Sequence, residues 1–138
     1  MRLETEQARA RLVNHDHGVL STLHPGRGVD TVPVVYALDD DGHLGIPIDT
    51  VKPKISVELQ REKNLAVDPR ATLLVDQWDP EDWSRLWWVR TRLVRVNDES
   101  RGERLADMLA VKYPQYADKP FATVMVFRIT AITGWSAS

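Results

Sequence analysis

Cationic side chains gather in one stretch of the chain that could bind an anion. Lys52 and Lys54 lie in a polar loop, and Arg61 and Lys63 follow in a predicted helix. Ammonium and guanidinium groups hold a phosphoryl group through charge-assisted hydrogen bonds, and a helix N-terminus adds free backbone N–H groups. The same charges are also typical of a solvated helix face, where glutamates such as Glu58 pair with them. From composition alone, the solvated face is the more common arrangement.

Tryptophan is the second unusual feature, because four of the five tryptophans fall between positions 78 and 88. Trp87 and Trp88 are adjacent in a predicted strand, so their side chains must point to opposite faces. Such rings suit either a flat ligand or a subunit interface, and the residues alone favour neither. Arg85 and Arg90 flank the pair. Clustered cations near clustered aromatic rings indicate a binder of a phosphorylated ring cofactor.

Bulk composition restricts the remaining function classes. The chain has 138 residues, which predicts a single domain over 1–138, and a net charge of −2, which disfavours binding to nucleic acid or an anionic membrane. It has no cysteine, which excludes disulfides, thiolate metal sites and a cysteine nucleophile. No apolar run approaches the roughly 20 residues of a membrane span, and the charged N-terminus lacks a signal-peptide core. A cytoplasmic protein is expected.

No motif assigns a catalytic residue. The four histidines fall in turns and near the first helix, without the spacing of a common metal motif, so no metal site is predicted: His15, His17, His24 and His43. The chain lacks G-x-S-x-G, G-x-G-x-x-G and the P-loop pattern, which argues against a serine hydrolase and the common nucleotide-binding folds.

Hydrophobic periodicity predicts the elements that would position these residues. Helices are expected at 4–14, 55–66 and 100–113, and strands at 19–23, 31–38, 43–48, 71–76 and 86–96, with a final strand pair or one long bent strand at 121–135. Helices and strands do not alternate regularly, which disfavours a doubly wound sheet. The predicted fold is therefore mainly β (α+β), a six-stranded antiparallel barrel with about three peripheral helices.

Two local signals refine this prediction. Asp39 to Gly42 is a strong hairpin turn between the strands that flank it. Pro33 has no N–H, so within its strand it indicates an edge, a bulge or a ladder position left open to a ligand.

Four sequence segments carry a resemblance to a known family: GVLSTLHPGRGVDTVPVVYALDDDGHLGI, KPK, REKNLAVDPRATLLVDQWD and DWSRLWWVR. With them the chain resembles, over essentially its whole length, the pyridoxamine 5'-phosphate oxidase-like (PPOX class) split β-barrel proteins. The similarity is greatest to the actinobacterial branch that uses the deazaflavin coenzyme F420.

The resemblance implies a homodimer with two cofactor sites at the subunit interface. Two strand backbones would follow the flat ring and the ribityl chain, the basic loop and helix would hold the phosphate, and a tryptophan with its neighbouring cation would meet the pocket. The implied cofactor-binding residues are Val32, Pro33, Val34, Ile48, Asp49, Thr50, Lys52, Pro53, Lys54, Arg61, Trp88 and Arg90. We expect Lys54 and Arg61 to carry the phosphate, with Lys52 in support.

The implied activity is hydride transfer from reduced F420 to an unsaturated or oxidised small organic substrate. The accompanying proton would come from Tyr36 or from solvent. Two alternatives remain at this stage: an FMN-binding oxidase or flavin reductase of the same fold, because FMN has the same ribityl-phosphate group, and a non-catalytic F420-binding protein.

Overall fold

The first and third helices lie within one residue of their predicted bounds, whereas the second begins later. The computed structural model describes residues 1–49 and 59–138. In these ranges it contains α1 (Thr5–Asn14), α2 (Gln60–Val67) and α3 (Glu99–Lys112). Two single 3-10 turns also lie in these ranges, at Trp83–Arg85 and Pro114–Tyr116.

Seven antiparallel strands form one sheet in the described part of the chain, one strand more than predicted. The strands are β1 (Gly18–His24), β2 (Gly28–Val34), β3 (Ala37–Leu38), β4 (His43–Asp49), β5 (Arg70–Gln77), β6 (Trp87–Val96) and β7 (Phe121–Ser136). Their order across the sheet is β2-β1-β5-β6-β7-β4-β3. The 16-residue β7 is long enough to pair with β6 along its second half and with β4 along its first half.

Period-two alternation along the strands separates the core from the outer face of the sheet. On β6, Trp87, Val89 and Leu93 are buried, whereas Trp88 is half-buried and Arg90 exposed. The two adjacent tryptophans therefore face opposite sides, as predicted. Apolar residues of α1 and α2 pack against the same core as the inward-facing strand residues.

The predicted strand over 31–38 is wrong as one element, because the chain leaves the sheet at positions 35 and 36. Tyr36 is fully buried, and its backbone bonds to α3 instead of a strand. Its N–H donates to Tyr113 Oη (3.3 Å), and its carbonyl accepts from Lys112 Nζ (3.0 Å). The first part therefore joins β2 at one sheet edge. The last two residues form β3 at the other edge, where the predicted hairpin with β4 is confirmed.

Helix α2 begins later than predicted within the described residues. Leu59 has extended backbone angles and is the N-cap, and its N–H donates to Glu62 Oε1 (3.1 Å). The rest of the predicted start, residues 55–58, lies outside the described ranges. The helix ends at Val67, before Asp68-Pro69, because proline cannot continue it.

A buried amide fastens α2 to the sheet. Asn64 is 1% exposed, and its Nδ2 donates to Thr22 Oγ1 on β1 (2.9 Å) and to Asp30 Oδ2 on β2 (2.8 Å). Its Oδ1 accepts from Gln60 Nε2 (2.9 Å). Because the Asn64 amide is buried, losing these hydrogen bonds would lower the stability of the fold.

The predicted class, mainly antiparallel β with three helices, is confirmed. Within the residues that the structure describes, no helix is both long and apolar enough to cross a membrane.

Replacing Asn64 with alanine should lower the free energy of unfolding by about 1–3 kcal/mol, because it leaves two partners on neighbouring strands without their donor. Urea unfolding measures the change. Lys63→Ala, at an exposed position on the same helix, should change stability by no more than about 0.5 kcal/mol. Equal effects of the two substitutions would contradict the anchoring role of Asn64.

Candidate functional site: a basic pocket at the end of β4

Arg61 is half-buried at the start of α2, not solvent-facing as the sequence suggested. Its Nε atom is buried and has no hydrogen-bond partner among the described residues. Burial lowers the pKa of Arg61, although nearby Glu62 and Asp49 oppose this effect. The guanidinium stays charged, because its pKa starts so high. A buried donor without a partner is uncommon and marks a candidate site for a polar ligand.

Asp49 and Tyr116 both lie near Arg61. Asp49 ends β4, and Tyr116 Oη donates to Asp49 Oδ2 at 3.3 Å. Burial, followed by the charge of Asp49, raises the pKa of Tyr116. The Tyr116 ring also packs edge-on against Phe121, with centroids 4.8 Å apart. The sequence-predicted Asp49 and Arg61, at the end of β4 and the start of α2, are thus close to each other, and Tyr116 joins them from 67 residues further along the chain.

A second guanidinium lies near Glu62, which also lies near Arg61. Arg95, at the end of β6, also has a buried Nε without a partner among the described residues, and burial lowers its pKa while Glu62 raises it. Arg95 further lines a groove of about 550 Å³. Phe121, Lys119 and residues of the first turns of α3 also line this groove.

Pro33, Trp88 and Arg90 lie elsewhere, on the outer face of the sheet. The strand register aligns Pro33, Val19, Leu74 and Arg90 in one row across β2, β1, β5 and β6. The Arg90 guanidinium carbon sits 5.2 Å from the centroid of the Trp88 ring. Pro33 is on the edge strand β2, as its missing N–H predicted.

Val32, Val34 and Ile48 have side chains directed to the core. Val34 and Ile48 are buried, and Val32 packs against the core cluster. Only the backbone of these residues is available to a ligand, in keeping with the backbone role assigned to them. Four further predicted residues lie outside the described ranges: Thr50, Lys52, Pro53 and Lys54.

Tyr36 cannot serve as the proton donor considered from the sequence. Its side chain is fully buried, and its hydroxyl donates to the carbonyl of Leu12. Burial raises the pKa of Tyr36 well above its ordinary value. The residue fastens α1 to the segment between β2 and β3.

Lys112 stacks on the same tyrosine. Its Nζ lies 4.1 Å from the centroid of the Tyr36 ring and 5.3 Å from that of Tyr113. Burial lowers the pKa of Lys112 to about 8, and Asp16 partly offsets this. The cation is therefore held by two aromatic faces and one carbonyl in place of water.

Sequence reasoning missed Tyr116, Phe121 and Arg95. Tyr116 follows Pro114 in a short turn, and Arg95 is the last inward-facing residue of β6. An arginine at an inward position of a strand with buried Trp87, Val89 and Leu93 was the available signal, because charged residues rarely occupy such positions without a role.

Comparison with known proteins agrees with the fold. No family model and no curated protein matches the chain. Among solved structures, the conserved hypothetical protein Rv2991 from Mycobacterium tuberculosis matches with a TM-score of 0.75 and 18% identity, over 98% of this chain and 86% of that one. An FAD-binding protein from Mesorhizobium loti gives 0.69 and 17%, over 97% and 95%. An FMN-binding protein from Syntrophomonas wolfei gives 0.68 and 18%, over 95% and 85%.

These likenesses, all below 25% identity, establish the fold alone. The chain has the pyridoxamine 5'-phosphate oxidase-like split-barrel fold, on which FAD-binding and FMN-binding proteins are also built. The fold expected from the sequence resemblance is therefore confirmed.

The lowered pKa of Lys112 predicts a pH-dependent stability. Between about pH 8 and the ordinary lysine value of 10.5, the unfolded chain holds a proton that the folded chain has lost. Stability should therefore rise with pH across this window, relative to a Lys112→Met variant that removes the titrating group. Chemical unfolding of both proteins from pH 7 to 10.5 measures the difference. A constant difference would contradict the burial of a charged Lys112.

Proposed function

We propose that the protein is an F420-dependent oxidoreductase that works as a homodimer and reduces an unsaturated or oxidised small organic substrate. The observation that carries the proposal is Arg61, a half-buried cation with an unpartnered Nε beside Asp49 and Tyr116. The split-barrel fold, shared with flavin-binding proteins, supports a flat ring cofactor.

The residues present fit the phosphate end of such a cofactor. A phosphate oxygen would accept from Arg61 Nε and from the rest of the planar guanidinium, which binds phosphate in two-point geometry. Arg95 adds a second cation within electrostatic reach of Glu62. Asp49 would repel a phosphate, so we assign it to a ribityl hydroxyl, with Tyr116 Oη orienting its carboxylate at 3.3 Å.

When bound, the reduced deazaflavin supplies a hydride to the substrate. The protein binds and orients the ring through the backbone of β2 and the end of β4, and its apolar side chains exclude water. Solvent supplies the proton, because Tyr36, the side chain considered for this role, is buried and bonded to Leu12.

Exposed cations favour F420 over FMN. The polyglutamyl tail of F420 is anionic, and FMN has no such tail. Arg90 is exposed above Trp88, and Arg85 is exposed with Asp79 3.7 Å away. Both lie away from the basic pocket of their own subunit, so they would attract an acidic tail across the proposed dimer interface, with a contribution that weakens with salt.

The outer face of the sheet supports the homodimer. Val19 and Leu74 are about 40% exposed in the middle of the row that joins Pro33 to Arg90. Adjacent strands are about 4.8 Å apart, so Pro33 and Arg90 lie roughly 14 Å from each other. Packing of two such faces would cover the apolar row and bring the Trp88 of one subunit to the β2 of the other.

FMN binding is the second candidate, because FMN has the same ribityl phosphate and an FMN-binding protein shares the fold. A non-catalytic F420-binding protein is the third, because no side chain has been assigned to the chemistry.

Titration of the purified protein with F420 and with FMN tests the proposal. F420 should bind, and Arg61→Gln should weaken binding roughly ten- to hundredfold, the loss expected for about 1.5–3 kcal/mol of charge-assisted hydrogen bonding. Arg104→Gln removes the same charge from an exposed site on α3 and should leave the affinity unchanged.

Retention of FMN without F420 affinity would overturn the proposal in favour of the flavin protein. Tight F420 binding without turnover of a panel of enones and quinones by the reduced cofactor would favour the non-catalytic protein. Unchanged affinity in Arg61→Gln would place the phosphate elsewhere.

Leu74→Arg should dissociate the dimer, because it places two cations against each other at the centre of the proposed interface. Sedimentation equilibrium measures the change in mass. Val111→Arg, at an 87% exposed position on α3, is the matched control and should remain dimeric. A monomeric wild-type protein, or a dimer that survives Leu74→Arg, would contradict this interface.

A further inference from the structure

The loop that joins α1 to β1 brings three metal-ligating side chains together. Ligand atoms of His15, Asp16 and His17 all lie within 4.8 Å of one another. The two imidazole rings stack with centroids 5.6 Å apart, and His17 Nδ1 is 2.5 Å from Asp16 Oδ1. Sequence spacing alone gave no reason to group them, because three successive residues can point in several directions.

Two tyrosine hydroxyls and one tryptophan ring hold this loop in place. Tyr113 Oη donates to the carbonyl of Asp16 at 2.8 Å, and Tyr36 Oη donates to the carbonyl of Leu12. The ring of His15 packs edge-on against the buried Trp87, with centroids 5.3 Å apart. The backbone and one of the three ligands are therefore positioned before any ion arrives, which reduces the entropy that binding must overcome.

We propose that His15, Asp16 and His17 form a binding site for a borderline divalent cation such as Zn²⁺. Two imidazole nitrogens and one carboxylate oxygen are a donor set that zinc accepts, and three protein ligands leave a fourth position of a tetrahedron open to water. Hard cations such as Mg²⁺ prefer oxygen ligands and would bind less well.

The cations around the loop set the strength of this site. Arg11 lies over the Trp87 ring, with its guanidinium carbon 5.3 Å from the centroid, and Lys112 is within electrostatic reach of Asp16. Both repel a metal ion. Asp16 and His17 are exposed to solvent, which screens this repulsion, so we expect binding in the micromolar range and not the tighter affinity of a buried zinc centre.

The site is separate from the basic pocket. It lies next to Trp87 at the start of β6, whereas Arg95 lies eight residues further along that strand, about 26 Å away at 3.3 Å per residue. The inference therefore does not depend on the proposed cofactor. A bound ion would tie the end of α1 to the start of β1.

Calorimetric titration of the chelator-treated, full-length protein with Zn²⁺ tests the inference. One ion should bind per chain, and Asp16→Asn and His17→Gln should each lower the affinity at least tenfold. His43→Gln, which removes a histidine on β4 outside the group, should leave it unchanged. Zn²⁺ should also raise the melting temperature of the wild-type protein, since it binds the folded state.

Cu²⁺ provides a local readout, because it quenches nearby tryptophan fluorescence. Quenching should saturate at one equivalent and should be lost in His15→Phe, which keeps an aromatic ring against Trp87 and removes the nitrogen ligands. The inference is overturned if Zn²⁺ shows no saturable binding, or if the Asp16→Asn, His17→Gln double variant binds as well as the wild type.

Discussion

One short helix connects the two edges of the sheet, and the candidate cofactor site depends on that connection. Strand β2 lies at one edge and β4 lies next to the other. Asn64 ties α2 to β1 and β2 through a buried amide, while Arg61, one turn earlier, faces Asp49 at the end of β4. A buried amide holds its direction because its partners cannot exchange it for water. Its hydrogen bonds therefore place the cation of the site relative to both edges.

Most of the elements could be predicted because their signals are local. Alternation along β6 assigns Trp87 to the core and Trp88 to the outer face, and Asp39 to Gly42 supplies the turn between β3 and β4. Such signals depend only on the period of the side chains and on the chemistry of a four-residue turn. The same alternation places Arg90 beside Trp88, so this part of the outer face was also foreseeable.

Contacts between distant segments were not predictable in the same way. The strand expected over 31–38 divides because Tyr113 and Lys112, more than 70 residues away, bond to the backbone of Tyr36. The β-branched and apolar residues of this segment do not indicate that side chains near the end of α3 will bond to its backbone in place of a neighbouring strand. Tyr116 was missed for a similar reason, since only the fold brings it to Asp49. The sequence therefore predicted Asp49 and Arg61 as site residues but not the distant residues that the fold brings to them.

The state of Arg61 explains why a site at this position should favour an anion. A half-buried guanidinium with an unpartnered Nε stabilises the fold less than a well-packed apolar side chain would. A phosphate oxygen would satisfy that donor at a half-buried position, where the attraction is stronger than at the surface. The chain has a net charge of −2, and no long-range field accounts for anion binding. The proposed selectivity for a phosphorylated cofactor would therefore arise locally, from a half-buried cation that α2 holds in position before the ligand arrives.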